Sequence, residues 1–169
     1  MVVKDIANRD RVNASAMRAW RQFLRAHAYA TRRLEADLEQ RHMLPLASYD
    51  VLVQLNEADG GALRMSELAD AVLLSRSGLT RLVDRLVRDG YVERRSCPSD
   101  ARGTLAVLTE RGRARLREAS GTHLRGVATH VTNLFTDEEL DTLAELLSRI
   151  GGADPAPARA HGEGPGQDA

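Results

Sequence analysis

The stretch from Ser75 to Thr109 constrains the fold most strongly, because it changes from a helical to a strand-like pattern within a few residues. Its first half repeats apolar residues with the spacing i, i+3, i+4, i+7, which places one stripe of a helix against a core. These residues are Leu79, Leu82, Val83 and Leu86. The sequence therefore predicts a helix over residues 75–88, with Ser75 as its N-cap and Asp89-Gly90 as its end.

Two segments rich in β-forming residues follow this helix. They are Tyr91–Arg95 and Thr104–Leu108, and residues 96–103 between them contain Pro98, Asp100 and Gly103. Strand-forming runs on either side of such turn-forming residues predict a β-hairpin, here with a basic tip.

A short helix is predicted immediately before the first one. Met65–Val72 has a helical pattern, for which we expect Ser66 to be the N-cap, and Leu73-Leu74 would form the turn into the next helix. Helix, turn, helix and hairpin together predict a winged helix-turn-helix. In such a unit the second helix can enter the major groove of DNA, and the hairpin reaches the backbone or the minor groove.

The polar face of the second helix is basic. It carries Arg76, Ser77, Thr80, Arg81, Asp84, Arg85 and Arg88. The chain as a whole is neutral, but residues 64–117 contain twelve arginines against seven acidic residues, so this part carries +5 and the remainder −5. A local excess of positive charge is the pattern expected for a DNA-binding surface.

These motifs resemble the MarR family of bacterial transcriptional regulators over roughly residues 15–150. The matching pieces are SELA at 66–69, SRSGLTRLVDRL at 75–86, the tip DAR at 100–102, then LT at 108–109 and Gly112. Two features differ from the family pattern: Val72-Leu73 stands where the turn often has glycine, and Gly78 lies inside the second helix. Glycine there costs about 1 kcal/mol relative to alanine, and we expect it to be tolerated because DNA approaches closely.

The resemblance implies a set of DNA-binding residues. They are Ser66, Ser75, Arg76, Ser77, Gly78, Thr80, Arg81, Arg85, Asp100 and Arg102. Residues in the first turns of the helix, such as Arg76 and Arg81, would reach base edges, or else only phosphates. Arg85 and Arg88 are expected to contact phosphates. Arg102 resembles the minor-groove arginine of the family, and Asp100 would orient an arginine or only shape the turn.

The whole chain is predicted to be mostly α-helical (α+β), with long dimerisation helices around the winged unit. The expected parts are an arm (1–14), an N-terminal dimerisation helix (15–45), the winged helix-turn-helix (46–110), C-terminal dimerisation helices (111–150) and a disordered tail (151–169). Within them we predict helices at about 14–42, at Tyr49–Glu57, from Thr109 to about Leu134, and from Asp137 onward, where Thr136 and Glu139 form a capping box.

The resemblance further implies a homodimer that binds an inverted-repeat operator, and release from DNA by a small aromatic or phenolic ligand. The candidates for the ligand site are Trp20, Arg21, His27 and Tyr49. The alternative is that each of them only packs in the core or lies on the surface without contacting a ligand. Repression, rather than activation, is likewise implied by the family. We expect no cofactor.

Other functions have weaker support in the sequence. Cys97 lies next to Arg94 and Arg95, so a redox-sensing thiolate is one alternative. Zinc binding by His123 and His130 with His27, His42 or Glu35 lacks any known ligand spacing. A winged helix that binds protein would need a less basic face. The sequence contains no catalytic motif, which indicates a non-enzyme, and no apolar span or signal peptide, which leads us to expect a cytoplasmic protein.

Replacing Arg102 with alanine tests the predicted role of the hairpin tip. Arg102→Ala should weaken operator binding by about 1–3 kcal/mol, the range for one good base contact, and should leave folding unchanged. Fluorescence anisotropy with labelled DNA gives the affinity, and a thermal melt checks the fold. Unchanged affinity in a folded variant would remove Arg102 from the DNA interface.

Overall fold

The computed structural model describes residues 13–72, 75–97 and 100–151. Its helices are α1 (Ala14–His42), α2 (Leu46–Glu57), α3 (Met65–Ala71), α4 (Arg76–Arg88), α5 (Glu110–His130) and α6 (Asp137–Gly151). Its strands are β1 (Ala62–Arg64), β2 (Val92–Cys97) and β3 (Asp100–Leu108), and single 3₁₀ turns occupy Asp59–Gly61 and Thr132–Leu134. The mostly helical winged fold is therefore confirmed. The predicted arm up to residue 12, the Leu73-Leu74 turn and the tail beyond Gly151 lie outside the described residues.

The predicted apolar stripe of α4 is buried. Leu79, Val83 and Leu86 each expose 1% or less of their surface, and Leu82 exposes 8%. They belong to one core with Leu52 and other apolar residues of α1, α2, α3, α5 and the sheet. Burying this stripe fixes the rotation of α4 about its axis, so its basic face is directed outward.

The sheet has one strand more than the sequence predicts. All three strands are antiparallel in the order β1-β3-β2, and β1 pairs with β3 from Ala62–Val107 to Arg64–Leu105. Strands β2 and β3 form the predicted hairpin, which we call the wing. Both strands are longer than expected: residues 96–97 continue β2, and residues 100–103 begin β3. The expected loop over 96–103 is therefore wrong for these residues, because cross-strand pairing extends the strands despite turn-forming residues, with a register irregularity between Ser96 and Cys97.

Ser66 is not the N-cap of α3. The cap position lies two residues earlier, at Arg64, whose backbone N–H donates to the Glu67 carboxylate (3.0 Å). The Glu67 side chain therefore accepts a hydrogen bond from a backbone amide at the N-terminus of α3. Ser66 lies exposed within the first turn of this helix. The sequence alone favours the serine because it is the better intrinsic cap.

Two other helix boundaries differ from the prediction. The second helix begins at Leu46 rather than Tyr49, and the Leu46 N–H donates to the Glu35 carboxylate of α1 (2.6 Å). The helix after the wing ends at His130 rather than Leu134, because Val131 leaves helical geometry and a 3₁₀ turn follows. By contrast, the caps predicted at Ser75, Thr109 and Thr136 are confirmed.

A tight joint connects α4, the sheet and α5. Gly90 ends α4 with a positive φ of 75°, and the next amide, of Tyr91, donates back to Leu86 (2.9 Å), a pattern that closes many helices. The Thr109 hydroxyl donates to the Gly90 carbonyl (2.8 Å) and accepts from the Gly112 amide (3.0 Å). One side chain thus links the end of α4 to the start of α5.

The long helices α1 and α5 pack against each other, whereas α6 stands apart from the winged unit. Gly126 of α5 allows close approach, since a Cβ there would lie 2.8 Å from Leu34 of α1. His130 and Asp37 form an ion pair across the same contact (2.8 Å) when the histidine is protonated. Within the described residues, no helix is both long and apolar enough to cross a membrane.

Gly112→Ala tests the joint. A Cβ at this position would lie 2.2 Å from the Tyr91 carbonyl oxygen and 2.7 Å from Leu108, so backbone must move. We expect the free energy of unfolding to fall by about 1–3 kcal/mol, although alanine favours helices. Urea denaturation measures this change.

Gly121→Ala, on the same helix, is the matched control. Its new Cβ would meet only the flexible end of Arg125, at 3.2 Å. This variant should be neutral or stabilised by up to about 1 kcal/mol. Equal effects of the two substitutions would contradict the tight packing of the joint.

Candidate nucleic-acid interface

The exposed face of α4 forms the centre of the site. The Ser75 hydroxyl accepts from the Gly78 amide (3.2 Å), and the Thr80 hydroxyl donates to the Arg76 carbonyl (2.9 Å). The N-terminal turn is therefore ordered by its own side chains. Positions along the outer face are exposed to solvent, namely Arg76, Ser77, Thr80, Arg81, Asp84, Arg85 and Arg88.

A side chain at Gly78 would contact the N-cap of α4. A Cβ at this position would lie 3.1 Å from the Ser75 hydroxyl, which is the cap acceptor of the same turn. A larger residue would therefore press against the cap. The expected close approach of DNA to Gly78 remains a prediction.

A cavity of about 310 Å³ lies beside α4, between the helix and the sheet. It is lined by residues of β1, α3, α4 and the two hairpin strands β2 and β3: Arg64, Met65, Ser66, Thr80, Arg94, Gly103 and Thr104. Two of the predicted DNA-binding residues, Ser66 and Thr80, thus share one polar depression. Its hydroxyl and guanidinium groups can donate hydrogen bonds to phosphate oxygens.

An ion pair that the sequence pattern does not predict connects α4 to the wing. Arg94 of β2 and Asp84 of α4 approach to 2.9 Å, and both side chains stay partly exposed, at 37% and 55%. The two residues are ten positions apart, and charge pattern alone does not select this partner among the neighbouring arginines. Only the folded sheet places Arg94 beside Asp84.

The structure places Asp100 and Arg102 on β3, in the part of the wing distant from α5. Asp100 is paired in register with Cys97 of β2. The side chains of Asp100 and Arg102 lie outside the described residues, so their predicted roles remain predictions.

The candidate ligand residues are distributed over two regions. Trp20 stacks with Phe23 at 6.1 Å between ring centroids and is 53% exposed, and Arg21 donates to the Met17 carbonyl within the same helix. His27 is also exposed on α1. Tyr49, in contrast, is buried in the core at the start of α2.

Tyr49 forms an aromatic contact between α2 and α5. Its ring stacks on His123 with centroids 4.5 Å apart. Burial raises the pKa of Tyr49, although a hydrogen bond to Ser120 opposes this shift, and burial lowers the pKa of His123. Both side chains are therefore held in their neutral forms near neutral pH. His123 Nδ1 is buried and has no hydrogen-bond partner among the residues that the structure describes.

The alternative sensing sites have other structural roles. Cys97 is buried at 7% exposure, which removes its thiol from the accessible position that a redox sensor needs. His42 hydrogen-bonds to the Thr122 hydroxyl (2.9 Å), and His130 pairs with Asp37. Among the residues with assigned positions, no group of three or more potential ligands is placed to hold a metal ion.

Several known proteins are similar to this chain in both sequence and fold. A model of the MarR family matches residues 44–103. The chain is similar to AbsC, a MarR family transcriptional regulator from Streptomyces coelicolor, with 36% identity, 82% of this chain and 93% of AbsC covered, and a TM-score of 0.76. It is also similar to Sco3205, a MarR family regulator from the same organism solved in complex with DNA, with 33% identity, coverage of 86% and 92%, and a TM-score of 0.77.

A relative from another organism is also a transcriptional regulator. The HTH-type transcriptional repressor YetL from Bacillus subtilis is 32% identical over 102 residues, which are 60% of each chain. The expectation of a regulator rather than an enzyme is confirmed by these relatives, which are transcriptional regulators.

Substitutions of Ser75 separate the stability of α4 from its contact with DNA. Ser75→Ala removes the cap and should lower the free energy of unfolding by about 1 kcal/mol. Ser75→Asp keeps a capping oxygen and should retain stability, but its negative charge should weaken DNA binding. Thermal melts and anisotropy measure the two effects. DNA affinity that followed stability alone in both variants would place Ser75 away from the DNA.

Proposed function

Since the chain belongs to the MarR family of DNA-binding transcriptional regulators, we propose that it is a homodimeric repressor of an inverted-repeat operator, released by a small ligand. The observation that carries the proposal is the exposed basic face of α4, held outward by its buried apolar stripe and flanked by the wing. This is the arrangement in which a recognition helix enters the major groove.

The roles proposed along α4 follow from position and chemistry. Arg76, Ser77, Thr80 and Arg81 lie in the first turns, where base edges are reached, and an arginine fork matches the O6 and N7 acceptors of guanine. Arg85, one turn further, would contact phosphates. Ser66 would contribute a hydroxyl to the backbone from the cavity beside the helix. Arg102 and Asp100 would serve the wing as the family resemblance implies.

Exposed apolar surface on α1 and α6 supports the dimer. Trp20, Phe23 and Leu24 on α1 expose 39–53% of their surface, and Leu146 and Ile150 on α6 expose 48% and 74%. Large apolar side chains that are grouped on a helix and left exposed within the chain favour burial against a second copy. A twofold dimer would present two α4 helices to half-sites about one DNA turn apart.

Release by a ligand is proposed to act through the contact between α2 and α5. Tyr49 and His123 stack there, so a molecule inserted near them would change the position of the winged unit relative to the long helices. Trp20, Arg21 and His27 would take part only if the dimer brings their exposed surface to the same place. The ligand must bind the DNA-incompetent form more tightly, because equal affinity would shift nothing.

DNA binding is tested by anisotropy with the wild-type protein and with Arg81→Ala. We expect sequence-selective binding that weakens with salt, with log K falling by about 0.9 per neutralised phosphate, and a loss of about 1–3 kcal/mol in the variant. A duplex selected from a random library by the wild-type protein is the probe, and a scrambled duplex is the comparison.

Arg32→Ala is the matched control, since Arg32 is exposed on α1, outside the winged unit. It removes the same charge and should leave binding unchanged. To test the dimer, light scattering of the protein without DNA should give twice the mass of one chain. Equal affinity for both duplexes would contradict an operator-specific repressor, and a monomer that binds tightly would contradict the dimer.

A further inference from the structure

We propose that Asp84 and Arg94 are positioning residues that hold the wing at a fixed angle to the recognition helix α4, so that both reach the same DNA duplex. The inference rests on the proposed DNA-binding function and adds to it a determinant of sequence selectivity. Neither residue is among the DNA contacts predicted from the sequence, although Arg94 also lines the cavity beside α4.

The two long sides of α4 have different surroundings. Thr80 and Asp84 are four residues apart and therefore lie on the same side of the helix. Thr80 lines the cavity with Arg94 and Gly103 of the wing, and Asp84 contacts Arg94 directly at 2.9 Å. This side faces the sheet. Arg81 and Arg85 each lie one residue further along, about 100° around the helix, and are exposed.

The β2 strand directs its two arginines to opposite faces. Successive side chains of a strand alternate, so Arg94 shares the face of Val92, which is buried against the core. Arg95 lies on the other face and pairs with Glu93 of its own strand. Arg94 is therefore the arginine of β2 that reaches α4, and Arg95 provides a natural comparison.

A carboxylate on this helix requires an explanation. Asp84 is the only acidic residue in the sequence of α4, and it lies among arginines that would approach phosphates. Electrostatics alone predicts that removing it would tighten DNA binding. The pair is partly exposed, so it adds little to folding stability. The ion pair instead fixes the angle between α4 and the wing. This angle matters because the helix and the wing contact the duplex at different places at the same time.

The main test compares Asp84→Asn with Asp89→Asn. Both remove one negative charge from the C-terminal half of the helix region, but Asp89 is the C-cap residue and has no ion-pair partner among the described residues. With a duplex selected by the wild-type protein, Asp84→Asn should bind roughly fivefold more weakly per recognition helix, the factor at the upper end for an exposed pair. Asp89→Asn should bind equally or more tightly. Binding to a scrambled duplex should fall in neither variant.

The partner residue is tested in the same way. Arg94→Ala should lose selectivity for the selected duplex, whereas Arg95→Ala should lower binding to selected and scrambled duplexes alike or not at all. The exchange Asp84→Arg with Arg94→Asp, which keeps the net charge, should recover most of the selectivity, and Asp84→Glu should retain it. Hydroxyl-radical footprints should lose the wing protection in Asp84→Asn and keep it in Asp89→Asn.

Several results would overturn the inference. One is tighter binding by Asp84→Asn, as expected for Asp89→Asn, and another is simple addition of the losses in Asp84→Asn and Arg94→Ala in the double variant. Either result would show that the pair does not act as a unit. A loss shared by both duplexes would assign the residues to folding or to general charge. If the folded wild-type protein selected no duplex at all, the proposed function itself would fail, and this inference with it.

Discussion

Burial of the apolar stripe on α4 is the constraint on which the rest of the structure depends. Leu79, Val83 and Leu86 pack into a core shared with α2 and the sheet, and this packing leaves the helix one permitted rotation. The same rotation directs Thr80 and Asp84 toward the wing and the arginines toward solvent. One face of this short helix therefore packs into the core, and the opposite face is available to DNA.

Features carried by local pattern could be predicted from the sequence. The period of the apolar residues located α4, and the hydroxyls of Ser75, Thr109 and Thr136 were recognised as caps because each acts within three residues of itself. Features that depend on distant partners were missed. Strand β1 exists through its pairing with β3, and α2 begins early where the Glu35 carboxylate of α1 receives its first amide.

The candidate site divides in the same way. The exposed basic residues of α4 were predictable, because a buried stripe implies its opposite face. The Asp84 and Arg94 pair was not, because it requires the sheet to be folded first. For Tyr49, aromatic character suggested a ligand contact, while the fold gives it a neighbour in His123 and a place in the core. An aromatic side chain has the same sequence signature in both settings.

The single-residue connection at Thr109 has a mechanical consequence. Since this residue bonds to the end of α4 on one side and to the start of α5 on the other, the winged unit has little slack relative to that helix. With its 21 residues, α5 acts as a lever about 30 Å long, and a tilt of about 5° displaces its end by roughly 3 Å. Such a displacement is comparable to the length of a hydrogen bond. Because the winged unit has little slack relative to α5, moving the far end of α5 by this distance would rotate the winged unit through the same small angle.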